Sequence, residues 1–351
     1  MLLRRYYWLA LGMVPWCFTA SPVAAELPPT QVFSSATTQS DGNALQSRLW
    51  ADLADERLDE FTLVEAALIA GGIADREVLS HHNRQLSVWL EELREVKEAA
   101  SPKERARAVL EFMHRRVLSA GFHQDSTNLA GALDEGRFNC VSSTILFLTL
   151  ARGCGLEVEA VAEPAHVFCR LLLEQGALDV QTTDPRAFSP ERQTLVPSVA
   201  SPRALSEMGI LAIVYYNAGV ERLARREFSQ ALEANGRAVQ LDPAHREARA
   251  NLLATYNNWA VECVRQGNFQ QAIRLIQAAR QHSPGHANLT SNLRSVYQQW
   301  AADHLQAGRF KESLAVLDES LEALPQDEIL GEARHAVERR WMKARERKAA
   351  E

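Results

Sequence analysis

Cys140 and His166 are the two residues of this 351-residue chain whose types and settings suit covalent chemistry. Cys140 opens an apolar segment with helical spacing (Val141, Ile145 and Leu148, with Phe147 and Ala151 beside them), and Gly153 and Gly155 close it. A thiol at a helix start faces unpaired N–H groups and the positive end of the helix dipole, so its pKa falls toward the nucleophilic thiolate. A histidine on another element can take the thiol proton and return it to a leaving group, provided that a polar neighbour fixes its tautomer. Gln181 and Asp179 are the candidates for that neighbour.

The elements that must position these groups follow from the alternation of side chains. Glu157 to Ala162 reads as a strand, Pro164 as a turn, His166 to Leu171 as a second strand, and Ala177 to Thr183 as a third after a turn at Gln175-Gly176. In the resulting hairpin, His166 shares a face with Asp179, Gln181 and Thr183, whereas Asp184 points the other way. Cys169 lies one odd step from His166 and falls on the opposite face. A two-residue step along a strand moves a side chain by about 7 Å, so Gln181 and Asp179 cannot serve the same ring nitrogen. Gln181 is the expected orienter and Asp179 the alternative.

Four pieces in this order, Asn139-Cys140-Val141-Ser142-Ser143, Gly153-Cys154-Gly155-Leu156, Pro164-Ala165-His166-Val167-Phe168 and Val180-Gln181-Thr182-Thr183, resemble the transglutaminase-like superfamily of papain-type cysteine enzymes. The resemblance covers roughly residues 80–190. It implies an α+β domain with Cys140 as nucleophile, His166 as base and, usually, an Asp where Gln181 stands. A glutamine can accept from the imidazole N–H, but it stabilises imidazolium less than a carboxylate does.

Towards the N-terminus, residues 1–25 carry Arg4-Arg5, an apolar stretch and Val23-Ala24-Ala25, the pattern of a secretory signal peptide; an uncleaved membrane anchor is the alternative. Residues 26–43 read as a flexible linker. Helices are expected over 44–55, 62–70 and 75–100, and another opens at Ser101-Pro102-Lys103-Glu104, a capping box with proline at the first helical position. A polar loop over 119–138 then delivers the chain to Cys140. His81, His82 and His114 lack the spacing of metal ligands, so neither a metal nor a cofactor is expected. The net charge of −6, from 38 basic and 44 acidic residues, gives no basic excess for nucleic acid. After export four cysteines would remain, too few for a disulfide scaffold, and Cys154 and Cys263 read as small core residues.

Pro190, Pro197 and Pro202 mark a linker over 191–207 between the domain at 44–190 and an array at 208–326. In the array Tyr215, Tyr256 and Tyr297 stand 41 apart, as do Phe228, Phe269 and Phe310, and Pro243, Pro284 and Pro325. The aromatic residue, the small residue after it (Gly219, Ala260, Ala301) and the closing proline resemble tetratricopeptide repeats. Seven residues beyond the usual 34 are two helical turns, which lengthen the first helix of the second and third units. Residues 327–351 read as a charged capping helix.

The expected fold is thus an α+β transglutaminase-like domain followed by an all-α tetratricopeptide-type solenoid. The expected function is that of an exported, periplasmic thiol enzyme for amide hydrolysis or acyl transfer, with a protein or peptide held on the repeat groove and no membrane span left after signal cleavage. The alternative is a non-catalytic scaffold whose Cys-His part is inactive.

Overall fold

Helices account for 69% of the described residues, which in the computed structural model are 44–98, 101–124, 126–164, 166–189 and 202–350. The expected signal peptide at 1–25 and the expected linker at 26–43 lie outside them, as do residues 190–201, which include most of the linker expected over 191–207. The expected α+β class is therefore corrected: the fold is mainly helical, with two small sheets of short strands. The larger sheet draws on 158–180 and 203–205 and the smaller on 121–122 and 137–138, while most other apolar positions of the described residues recur at the helical period.

The first helices are α1 (Ala44–Asp52), α2 (Leu63–Ala70), α3 (Arg76–Glu92), α4 (Arg94–Glu98) and α5 (Pro102–Arg116). Thr62 and Ser101 each accept from the backbone N–H three residues on, and Glu65 and Glu104 bond back, so both starts are closed capping boxes. The helix expected over 75–100 is interrupted at Leu93. The segment expected to be a loop over 119–138 contains α6 (Leu129–Glu135), flanked by β1 (Gly121–Phe122) and β2 (Arg137–Phe138), which pair in parallel.

Next comes α7 (Cys140–Gly153), buried along most of its length, with Ile145, Leu146, Phe147 and Leu148 fully enclosed. It packs on an antiparallel sheet in the order β5 (Gly176–Val180), β4 (His166–Leu173), β3 (Val158–Glu163), β6 (Arg203–Leu205). The β4–β5 register pairs Leu173 with Gly176, so the hairpin turn is Glu174-Gln175, one residue earlier than expected. Gly176 there has φ of 124°, which a side chain would oppose. Strand β6 falls in the segment read as a linker and returns the chain to β3.

Helices α8 (Glu207–Ala224) and α9 (Phe228–Leu241), α10 (Arg246–Arg265) and α11 (Phe269–His282), and α12 (Ala287–Gln306) and α13 (Phe310–Ala323) form three packed pairs, and α14 (Glu328–Ala350) follows. At 20 residues each, α10 and α12 run for more than five turns without a break. Gly267 and Gly308 turn their pairs with φ of 78° and 73°, and Arg226 adopts the same left-handed conformation at 62°, so the first turn is built like the others despite its side chain. Phe228, Phe269 and Phe310, expected to be buried between the helices of a pair, are half-buried: the first two each stack on a tryptophan of the next unit's first helix, Trp259 and Trp300. Trp341 repeats that position in α14, and Asp327 before it repeats the cap positions of His245 and His286.

One apolar core runs from Leu45 on α1 through α7 and α8 to Ala248 on α10, and a second runs from Leu252 to Val337. The described residues fall within a single compact unit. Among them, no helix is long and apolar enough to cross a membrane.

Candidate active site

Asn139 fixes the start of α7, the helix that begins at Cys140. Its side-chain oxygen accepts from the N–H groups of Val141 and Ser142 at 2.9 and 3.2 Å, and its own N–H donates to Ser142 Oγ at 3.0 Å. Its amide nitrogen donates to Thr127 Oγ1 at 2.9 Å and to the Gln124 carbonyl at 3.3 Å, tying the preceding loop to the helix. Two of the first N–H groups are thereby occupied, while the N–H of Cys140 itself remains beside the thiol. The cap was legible in advance, because asparagine followed three residues later by a serine that can bond back is a helix-start signature, but its role was not assigned from sequence.

His166, the first residue of β4, lies close enough to the Cys140 thiol for each group to shift the other's pKa. Its Nε2 lies 2.6 Å from Gln181 Oε1, which fixes the neutral ring with the proton on Nε2 and leaves Nδ1 to receive the thiol proton. Burial pushes the thiol up. The hydrogen bond to His166, the N–H of Val167, the charge on the imidazole and the residue's own N–H outweigh it, and the thiol pKa falls below its ordinary value. The His166 pKa rises: the hydrogen bond to Cys140 is the main cause, burial opposes it, and the bond to Gln181, the thiolate charge and Glu163 add to it. Each shift favours the thiolate–imidazolium pair. Both side chains are only partly buried and Gln181 is exposed, so the pair is open to solvent.

Asp179 is held elsewhere. It pairs across the ladder with Arg170 and accepts from Arg170 Nε at 2.6 Å and Nη2 at 3.1 Å, on the face shared with His166 but four residues further along β4. Gln181→Ala is therefore expected to slow iodoacetamide alkylation of Cys140 at pH 6 by about two- to tenfold, the worth of one ordinary hydrogen bond. Asp179→Asn should leave the rate unchanged, and the opposite pattern would make Asp179 the orienter.

The other candidates fall outside the site. Cys154, Cys169 and Cys263 are buried and outside any disulfide, and burial drives the Cys169 thiol far above its ordinary range. His82 is enclosed near Asp134. His114 donates from Nε2 to the Thr182 carbonyl at 3.0 Å, and burial lowers its pKa, keeping it neutral. It also lines a cleft of about 690 Å³ together with Phe122, Phe138, Thr183 and Pro185. Phe138 and Thr183 are each two residues from a member of the triad.

Comparison with protein-family models and with curated proteins finds no match. Among solved structures the chain is similar to menin, in a crystal structure said to reveal its binding site for the Mixed Lineage Leukemia (MLL) protein. The TM-score is 0.47 at 12% identity, over 79% of this chain and 69% of that one.

Proposed function

We propose that the chain is a thiol enzyme that acts on an amide or acyl group of a protein or peptide, with its helix pairs serving as a tetratricopeptide-type surface for that substrate or for a partner protein. The observation that carries this reading is the hydrogen bond from His166 to Gln181 beside Cys140, with the thiol shifted down and the imidazole shifted up by each other. In the reaction the Cys140 sulfur forms a bond to the carbonyl carbon, and the thiol proton passes to His166. As the carbon–nitrogen bond breaks, His166 gives the proton to the leaving amine, and a thioester remains. Water then yields the acid, or a lysine amine yields a new amide. In this reading the Cys140 N–H donates to the oxygen that gains charge in the tetrahedral intermediate.

A cleft walled in part by Phe122 and Phe138 is open to an apolar side chain of such a substrate. On the first helices of the repeats, Asn258 and Gln299 are exposed and available to an extended backbone, whereas Asn257 already accepts from Asn292 of the next unit. Export, read from residues 1–25, is part of the same proposal.

An inactive thiol site, with the repeats as the working part, is the second reading. It is favoured by an amide where a carboxylate would hold imidazolium better. The deciding experiment incubates the protein with a defined peptide mixture, quenches in acid and maps Cys140 by mass spectrometry. A hydroxylamine-sensitive acyl adduct on Cys140 is expected. Rapid alkylation of Cys140 without any acyl adduct or peptide turnover would favour the scaffold.

A further inference from the structure

The β4–β5 ladder ends at the pair Cys169–Val180, one residue before Gln181. Continued in the same register, it would set Thr183, not Gln181, opposite His166. The chain instead leaves the sheet, and Gln181 reaches the imidazole from a turn closed by the Asp184 N–H on the Gln181 carbonyl at 3.0 Å. No ladder bond therefore holds Gln181 in place.

Thr182, only 1% exposed, occupies the point where that turn meets the nucleophile helix. Its hydroxyl lies 2.9 Å from Ser143 Oγ and 3.1 Å from Thr144 Oγ1, both in the first turns of α7. Ser143 Oγ reaches the Cys140 carbonyl at 3.3 Å, and Thr144 Oγ1 reaches the carbonyl of Val167, the residue after His166, at 3.5 Å. The Thr182 carbonyl is held in turn by His114 Nε2. One buried hydroxyl thus links the elements that carry Cys140, His166 and Gln181.

We propose that Thr182 is the positioning residue of the thiol site, setting the separation between the nucleophile helix, the histidine strand and the glutamine turn. The proposal rests on the Cys140–His166–Gln181 reading above. Valine matches threonine in shape, and Ser143 and Thr144 keep their carbonyl acceptors when the Thr182 hydroxyl is gone, so Thr182→Val orphans neither of their hydroxyls. A fold contribution alone would change the melting temperature and leave the thiol's titration where it was.

The test is the pH profile of Cys140 alkylation by iodoacetamide in the full chain, with far-UV circular dichroism as the check on folding. In Thr182→Val the rising limb should move to higher pH and the rate at pH 6 should fall about tenfold, the effect of one pKa unit. Thr182→Ser, which restores the hydroxyl, should recover the wild-type limb. If Thr182→Val does not fold, Ser143→Ala, which cuts the same link from the helix side, is expected to move the limb in the same direction. A folded Thr182→Val, or in its place Ser143→Ala, with the wild-type limb overturns the proposal, as does a Thr182→Ser protein that behaves like the valine variant. A wild-type limb already at the ordinary thiol position would instead overturn the thiol-site reading itself.

Discussion

At pH 6 the His166→Ala protein should alkylate at Cys140 at least tenfold more slowly than the wild type, the largest change expected from any single substitution in the site that leaves the thiol in place. With the imidazole gone, the strongest interaction that lowers the thiol pKa is lost, and burial, which raises it, stays. Each unit of upward movement removes about nine-tenths of the thiolate at a pH well below the new pKa. The sign is testable across pH. The wild-type thiol, shifted down, stays reactive below the ordinary thiol value of about 8.5, and the variant should regain reactivity only as pH rises past it. At a pH high enough to ionise both thiols the two rates should converge. Equal rates at pH 6 would mean that the histidine does not control the thiol.

Phe147→Ala should cost about 3–5 kcal/mol of unfolding free energy in urea titration, because the ring is fully enclosed on α7 and its removal adds a cavity to the lost apolar burial. Val88→Ala, at a side chain 55% exposed, is the control and should stay within about 0.5 kcal/mol. A loss below about 1 kcal/mol for Phe147→Ala would mean that α7 is not the central packed element of the first core.

The local parts of the site were legible because their rules are local. A polar lead into an apolar helical run placed Cys140 at the first position of α7, and strand alternation across a two-residue turn put His166 and Asp179 on one face, at Glu174-Gln175 as at the expected Gln175-Gly176. What decides between the two orienters is not local: Arg170 captures Asp179 across the ladder, and the chain leaves the sheet after Val180. Nothing in the alternation of Ala177 to Thr183 signals that exit, and Thr182 could be valued only once helix and turn were seen together. The fold class failed for a related reason. Three good strand patterns in the middle of the chain say nothing of how much helix surrounds them, and a resemblance built on four short motifs does not fix the class of the whole. The repeats were readable from their period. The depth of the phenylalanines was not, because their partners, Trp259 and Trp300, belong to the neighbouring unit.

The first apolar core passes from Leu45 to Ala248 without stopping where the helical array begins, and Ile210, Leu211, Val214 and Tyr215 of α8 belong to it. Tyr215 also donates to Gln46 on α1, and Arg237 of α9 reaches the same amide oxygen while lying over the rings of Trp50 and Tyr215. A gene fragment stopping short of α8 would encode a thiol site whose supporting helices present an uncovered greasy side. A fragment beginning at α8 would carry the matching side with nothing to meet it. Neither half is a portable module, so duplication or fusion during evolution would have to move the two together, while later helix pairs, which rest on a core of their own, can be added or lost at the far end with far less disturbance to the reacting centre.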